Sequence, residues 1–326
     1  MVNYIADTLC KRLHNSMNGV KKSMMNVALL IVSILMNLVA SSILKNDFCK
    51  KEVKNNGDLY AFNALTSVLS VVTLGIMAVV MGSLTSVSMY TVLLGILFGI
   101  VTALAAIFNM KALECGPMSY TSVIISCSLV IPSFSGLVLY GEPIAPLQYI
   151  GVVCMLASFV CAMDKKNDKA GVSVKWFLYC MVSFLFNGSI GVMQKIHQNS
   201  SHKDELSVFL LMAFLVSTVF SAIMIPVSLR SRKGGAESRL TVTAKEKVKK
   251  YLVVGIICGV FIAFCNQINM YLSGEMDSVV FFPVVNGAYM ILTAIVGVLF
   301  LKERFSVKQW IGLVLGTAAI FLLCMA

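Results

Sequence analysis

Two asparagines stand near the centres of long apolar stretches, Asn37 in the first stretch and Asn187 in the sixth. An unpaired polar group in hydrocarbon is energetically costly, so such a side chain either bonds to a neighbouring helix or lines a wet cavity. The two residues are therefore interpreted as carboxamide donors and acceptors for a zwitterionic or polar solute, or else as hydrogen-bonding contacts between helices. Both interpretations stay open on the sequence alone.

A lysine follows each of these asparagines by eight residues, at Lys45 and Lys195. In a helix this separation is about 80° around the axis and roughly 12 Å along it, which places both amines near the ends of their stretches. Either each lysine extends to the lipid headgroups, or one lysine stands near each mouth of a transport pathway and guides a carboxylate or a phosphate.

Further polar side chains interrupt the later apolar stretches. Ser126 and Ser128 belong to a serine-rich fourth stretch, which should face the interior of a helix bundle. In the ninth stretch Asn286, Tyr289 and Thr293 share one stripe of a helix, which either lines a cavity or forms a packed polar seam. The predicted substrate-binding residues are Asn37, Asn187, Lys45, Lys195, Ser126, Ser128, Asn266, Gln267, Asn286, Tyr289 and Thr293.

The acidic residues and histidines are placed differently. Glu142 and Glu303 follow the fourth and ninth stretches, where a carboxylate either caps the N-terminal amides of the following helix or takes part in gating or proton sensing. No Asp or Glu falls in the middle of a stretch, and His14, His197 and His202 are expected at a chain end or in a connection. A carboxylate relay for protons therefore has no predicted residue, which favours a facilitator, an exchanger or an exporter that runs down the solute gradient.

The sequence contains no constellation typical of an enzyme or a metalloprotein. It has no H-E-x-x-H, no paired aspartates and no Ser/His/Asp arrangement at an edge of the apolar stretches. No catalytic residue, metal ligand or cofactor is predicted, and the chain is not expected to be an enzyme. Most of the ten cysteines fall inside apolar stretches and are interpreted as packing residues.

Composition indicates which elements must position the polar residues. The chain has 326 residues, of which 58% are hydrophobic and 13% charged, and a soluble domain of this size does not enclose so much apolar surface. A helix of roughly 20 apolar residues spans the hydrocarbon core, and ten such stretches predict an all-α polytopic membrane protein. The predicted spans are 25–44, 60–81, 90–110, 118–140, 147–163, 175–196, 207–229, 251–272, 278–301 and 309–325.

The formal net charge of +11 is distributed as an orientation signal. The connections after odd-numbered spans hold 20 of the 26 basic residues, so nucleic acid is not expected as a partner. This bias predicts that the odd-numbered connections are cytoplasmic and that both termini lie outside. Residues 1–24 form a polar, basic tail without an apolar core long enough for a signal peptide.

The two halves of the chain repeat one another. "YGEPIAPLQYIG" (140–151) and "LKERFSVKQWIG" (301–312) share Glu, Gln, Ile and Gly at matching positions. Matching residues also recur in the first three spans of each half, among them Asn109 and Asn269. Because five spans per copy is an odd number, the second copy begins on the opposite face of the bilayer, and the repeats are predicted to be inverted.

Five-plus-five helices, with a Glu after the fourth helix and a Q-x-I-G at the start of the fifth in both halves, resemble the EamA-type family of the drug/metabolite transporter superfamily. The resemblance covers nearly the whole chain from residue 25 onward. It implies a ten-helix transporter of small metabolites, with a central cavity lined by the first four helices of each half. It also implies cytoplasmic termini, as in many members, which is the opposite of the orientation predicted from charge.

Together these patterns predict a multi-pass permease of the cell membrane that moves small polar metabolites, amino acids or related solutes, by alternating access. Export is the expected direction, because members of the family are often exporters. The alternative is a flippase of a lipid-linked sugar or polyprenyl-type headgroup. The expected partners are a small-molecule substrate and membrane lipid, and no oligomeric state is predicted. The predicted domains are the tail 1–24, a first EamA-like repeat at 25–163, a linker at 164–174 and a second repeat at 175–326.

Overall fold

The structure, a computed structural model, describes residues 21–45, 48, 52–53, 56–84, 87–115, 118–161, 173–230, 245–300 and 306–325. The described backbone consists of helices and turns and contains no β-strand, so the predicted all-helical class is confirmed for this part of the chain. Most of the predicted tail 1–24 and of the linker 164–174 lies outside the described residues, as do Glu303 and the side chain of Lys45.

The helices are numbered here in chain order. α1 covers residues 21–37 and continues as a π-helical segment, Leu38–Lys45. The following helices are α2 (Asn56–Val80), α3 (Met89–Cys115), α4 (Met118–Ser126), α5 (Val130–Tyr140), α6 (Pro146–Cys161), α7 (Val174–Gln198), α8 (Leu206–Arg230), α9 (Lys245–Glu275), α10 (Ser278–Phe300) and α11 (Val307–Cys324). A 3₁₀ turn, Cys127–Leu129, joins α4 to α5.

Each predicted span coincides with a helix, the fourth with α4 and α5 together. Within the described residues, nine helical stretches are long and apolar enough to cross a bilayer, as expected for an integral multi-pass membrane protein. The fifth predicted span, α6, is apolar but has only 16 residues. At 1.5 Å per residue it is about 24 Å long, shorter than a typical hydrocarbon core of ~30 Å.

The glutamine that recurs in the two halves has the same local role in both. Gln148 Oε1 accepts a hydrogen bond from the Ala145 amide at the start of α6 (2.9 Å). Gln309 Oε1 accepts one from the Ser306 amide at the start of α11 (2.8 Å), where it completes a capping box. In each case the third residue of the helix satisfies an amide that would otherwise be unpaired at the helix start.

Small residues let neighbouring helices approach closely. A Cβ at Gly99 in α3 would lie 2.7 Å from Val216 Cβ in α8, and a Cβ at Gly259 in α9 would lie 2.7 Å from Leu69 Cβ in α2. Both glycines belong to G-x-x-x-G patterns, Gly95/Gly99 and Gly255/Gly259, which permit close approach of helix backbones. α3 therefore packs on α8, and α9 packs on α2, through the same kind of glycine surface.

Most of the other large helix contacts also join one half of the chain to the other. α2 packs on α8 and α6 on α11. α7 packs on α3, and α9 packs on the π-helical segment of α1. α5 packs on α10. Three of these pairs, α2 with α8, α5 with α10 and α6 with α11, join matching spans of the two halves. α10 also packs on α11 within the second half.

One end of the bundle is named the terminus side, because α1 begins there. Lys22 at the start of α1 forms an ion pair of 2.5 Å with Glu275 at the end of α9. Contacts place four turns on this side as well. Lys195 near the end of α7 donates to Met276 in the turn between α9 and α10 and pairs with Glu142 in the turn between α5 and α6, and the turn between α7 and α8 contacts the one between α2 and α3. The Ser88 amide accordingly contacts Glu205 Oε2 at 3.0 Å across two of these turns.

Candidate solute-binding cavity

A cavity of about 400 Å³ lies between α1, the α4–α5 junction, α7, α9 and α10. This volume is within the range of pockets that bind small molecules. Its apolar wall includes Phe281 and Phe282, whose rings meet edge to face with their centroids 5.0 Å apart. Its polar lining consists of Asn37, Ser126, Ser128, Asn187, Gln194, Asn269 and Asn286.

Five of the predicted substrate-binding residues therefore line one cavity. Asn37 and Asn187 come from opposite halves, as the repeat pattern places them. Ser126 and Ser128 come from the α4–α5 junction, and Asn286 comes from α10. The structure brings together residues of four helices that are far apart in the sequence.

Sequence reasoning missed two carboxamides of this lining, Gln194 and Asn269. Gln194 lies two helical turns after Asn187, so both side chains share one stripe of α7. Asn269 is the counterpart of Asn109 in the repeat. The sequence thus carries a signal for both residues, helical spacing for the first and the internal repeat for the second.

The carboxamides present both donors and acceptors. Asn187 Nδ2 donates to the Ser183 carbonyl within α7 at 2.8 Å, and Asn286 Nδ2 donates to the Phe282 carbonyl within α10 at 2.8 Å. Their Oδ1 atoms are the acceptors that remain on these side chains. Asn269 is turned the other way, because its Oδ1 accepts from Ser33 Oγ at 2.6 Å and its amide nitrogen remains to donate.

Two irregular helical segments begin at the cavity. The π-helical segment of α1 starts directly after Asn37, and the 3₁₀ turn starts directly after Ser126. Pro132 lines the cavity and has no amide hydrogen, so it cannot donate the regular helical bond to the carbonyl of Ser128. π-Helical and 3₁₀ segments inside helices are frequent at functional sites, and here both segments adjoin the polar lining.

The cavity lining contains no ionisable side chain among the described residues. The groups that this cavity offers are hydrogen-bonding side chains and phenylalanine rings. No group of three or more His, Cys, Asp or Glu residues in the described ranges is arranged to hold a metal ion.

Lys195 lies just beyond the cavity, next to Gln194, and its side chain is only 3% exposed. Its amine forms an ion pair of 2.5 Å with Glu142 and donates to the carbonyl of Met276 at 3.0 Å. A lysine buried in this way does not reach the lipid headgroups, so that interpretation is corrected for Lys195. Lys45 is described only in its backbone.

The remaining predicted residues do not line the cavity. Gln267 is buried between α9 and α8, where it donates to Ser207 Oγ at 2.7 Å. Asn266 donates to the Ile262 carbonyl of its own helix at 2.8 Å. Tyr289 and Thr293 are half-buried on α10, farther from the terminus side than Asn286. These positions fit helix contacts better than solute contacts.

Two sequence interpretations on the terminus side are corrected. Glu142 does cap a helix, but Glu142 Oε2 accepts from the Ser278 amide at the start of α10 (2.8 Å) and not from the helix that follows it in the chain. Gln148 already occupies that other position. The expectation that His197 lies in a connection is wrong, because α7 continues to Gln198 and His197 is fully buried in its last turn.

A second cavity, of about 310 Å³, lies between α2, α3 and α8. Its hydroxyl groups are largely engaged in contacts between helices. Ser67 Oγ lies 3.3 Å from Ser217 Oγ, and Ser70 Oγ donates to the Gly259 carbonyl at 2.8 Å. The first cavity is therefore the better candidate for a solute.

Comparison with known proteins gives a family match in the second half of the chain. The sequence profile of the EamA-like transporter family matches residues 174–325. No curated protein matches the chain. Among 29 matching chains of solved structures is a crystal structure of a protein with 15% sequence identity and a TM-score of 0.66, which covers 93% of this chain and 97% of that chain. Identity this low shows a shared fold alone.

Proposed function

We propose that the chain is a permease of the EamA-like transporter family, whose sequence profile matches residues 174–325. In this proposal it moves small polar metabolites through the cavity between α1, the α4–α5 junction, α7, α9 and α10. The observation that carries this proposal is the cavity itself, which gathers four asparagines from four otherwise apolar helices. Polar groups on membrane helices are costly unless the protein, water or a solute forms hydrogen bonds with them.

Amino acids or related solutes are the proposed cargo, and export is the proposed direction. A zwitterion presents both donors and acceptors, as Asn187, Asn269 and Asn286 do from the cavity side. The cavity volume of about 400 Å³ suits a solute of that size. The proposed location is the cell membrane, where an exporter of metabolites acts.

We propose alternating access between two inverted five-helix repeats, 25–163 and 175–326, as the transport cycle. The helix contacts support this arrangement. α3, the third span of the first half, packs on α7 and α8, the first two spans of the second half, and α9, the third span of the second half, packs on α1 and α2, the first two spans of the first half. The arrangement requires α6 as a tenth crossing. α6 is short but packs along α11, its counterpart in the repeat, which supports its position as a crossing helix.

Flux measurements in proteoliposomes test the proposed function. Purified protein is reconstituted and assayed with radiolabelled amino acids, with and without a pH gradient. We expect saturable counterflow of at least one of them, and flux without a pH gradient, because the cavity lining contains no ionisable side chain among the described residues.

The matched control variants in this assay are Asn187→Ala, which changes the cavity, and Asn266→Ala, which does not line it. Loss of flux in the first variant and retention in the second supports this cavity as the pathway. Folded wild-type protein that moves none of the solutes, and instead scrambles a lipid-linked sugar, would contradict the proposal.

A further inference from the structure

The turn after α5 brings a carboxylate to the end of another helix. Gly141 has a φ of 65°, a left-handed conformation that ends α5 and reverses the chain. The Glu142 amide then bonds to the Gly136 carbonyl at 3.2 Å, which folds Glu142 back over the last turn of α5. A Cβ at Gly136 would lie 2.7 Å from Ser278 Oγ and would overlap the Glu142 carboxylate, so only glycine leaves room for it.

Glu142 joins three elements on the terminus side. Its Oε1 pairs with the Lys195 amine in the last turn of α7 at 2.5 Å, and its Oε2 accepts from the Ser278 amide at the start of α10 at 2.8 Å. Lys195 also donates to the Met276 carbonyl in the turn between α9 and α10 at 3.0 Å. The two charges therefore tie α5, α7 and the α9–α10 turn to one another.

This contact lies directly beyond one end of the cavity. Gln194 lines the cavity and precedes Lys195, while Phe281 lines it one helical turn after Ser278. The same end is tightly packed, because a Cβ at Gly191 in α7 would lie 2.6 Å from Pro132 Cβ in α5. A solute that left Asn187 toward the terminus side would have to pass between these helices.

The last turn of α7 is also held from its other side. His197 Nε2 lies 3.3 Å from Thr91 Oγ1 of α3, and the His197 ring lies 4.7 Å from the Phe209 ring of α8, centroid to centroid. The end of α7 is thus fixed against α3 and α8, while Lys195 attaches it by charge to Glu142. The contacts of α7 with α3 and α8 do not involve the ion pair, so they do not depend on it.

We propose that the Lys195–Glu142 ion pair is the closing contact of a gate at the terminus-side end of the cavity, an inference that rests on the proposed transport function. In the closed state the buried Lys195 amine and the largely buried Glu142 carboxylate satisfy one another, and Glu142 also caps the start of α10. In the open state water enters between α5, α7 and α10 and hydrates both charges. The charges are satisfied in both states, by pairing in the closed state and by water in the open one.

The test measures access to the cavity and needs no solute. In a variant without the native cysteines, Ile190→Cys reports from the cavity lining. A membrane-impermeant thiol reagent is added to the terminus side or to the opposite side of oriented vesicles. Glu142→Gln should raise the labelling rate from the terminus side by roughly tenfold or more, because it removes one partner of a buried pair.

An ion pair on the same side provides the matched control. Glu275→Gln breaks the more exposed Lys22–Glu275 pair and should change the labelling rate by no more than about threefold. Lys195→Arg keeps the charge and should stay closer to the parent rate than Lys195→Met does. Equal acceleration by Glu142→Gln and Glu275→Gln would indicate general loosening and would overturn the gate.

The double variant Glu142→Gln/Lys195→Met provides a second test in case the single variants do not fold. It removes both charges and leaves no unpaired charge in the interior, so it should stay folded and still show raised labelling from the terminus side. Folded protein labelled at the parent rate in both Glu142→Gln and the double variant would overturn the proposal. Absence of flux contradicts the transport function, whereas unchanged labelling contradicts the gate, so the two failures are distinguishable.

Discussion

At the scale of single residues, the polar groups of this chain divide into those that bond within the protein and those that face a cavity. Asn266 and Asn187 illustrate the division, since both carboxamides donate to the backbone of their own helix one turn earlier. Only Asn187 lines the cavity. The difference depends on which neighbour each helix face meets, and not on the residue type.

Removal of one cavity carboxamide should impair transport without unfolding the protein. Asn187→Ala and Asn37→Ala are each expected to reduce flux severalfold, while the amount of folded protein in the membrane changes little, because one such hydrogen bond stabilises a membrane bundle by only ~0.6 kcal/mol. Flux per folded molecule, measured by size-exclusion chromatography and transport assay together, checks this. Wild-type flux in both variants would remove these residues from the site.

Removal of one buried charge should instead affect stability. Lys195→Met leaves Glu142 without its partner and should lower the free energy of unfolding by about 3 kcal/mol. Lys22→Met, which breaks a surface pair, should lower it by clearly less, because solvent screens an exposed pair. Thermal unfolding in detergent measures both. An equal effect of the two substitutions would show that the Lys195–Glu142 pair is no more important for folding than a surface contact.

At the scale of elements, the spans were predictable and their irregular segments were not. Each predicted span coincides with a helix because the apolar length that hydrocarbon requires is a local property of the sequence. The position of His197 differs from the expected one because α7 continues past the predicted end at residue 196. The π-helical segment Leu38–Lys45 carries no apolar or charge signal that sets it apart from an ordinary helix end.

Two glycines, one in a tight helix contact and one in an ordinary contact, test how much close helix packing contributes to stability. Gly259→Ala should lower the free energy of unfolding by about 1–3 kcal/mol, because overpacking displaces a neighbour. Its Cβ would lie 2.7 Å from Leu69 Cβ and 2.9 Å from the Thr66 carbonyl oxygen.

Gly75→Ala is the control, since its Cβ would meet only Leu211 Cδ1, at an ordinary 3.7 Å. Because alanine also favours a helix more than glycine does, this variant should be as stable as the parent or slightly more stable. Thermal unfolding of both variants in detergent separates the two cases. A Gly259→Ala variant as stable as Gly75→Ala would show that α9 and α2 can move apart without cost.

At the scale of the whole molecule, the proposed inverted repeats fix which connections share a face of the membrane. Tyr149 and Trp310 occupy matching positions in the two halves, and their side chains are 44% and 48% exposed. Cysteines at these two positions should be labelled by an impermeant thiol reagent from opposite sides of the membrane. Labelling of both from the same side would exclude the inverted arrangement and the transport cycle built on it.

The sequence by itself determined the class of this protein and the positions of its helices, and it pointed to a resemblance that the family match supports. These features are local, because each membrane helix satisfies its own backbone hydrogen bonds and needs only a sufficient run of apolar residues. Only the tertiary structure decided that Glu142 pairs with Lys195 and caps α10, and that Asn269 joins Asn187 at one cavity. Such pairings depend on which helix faces meet, and residues far apart in the chain decide that together.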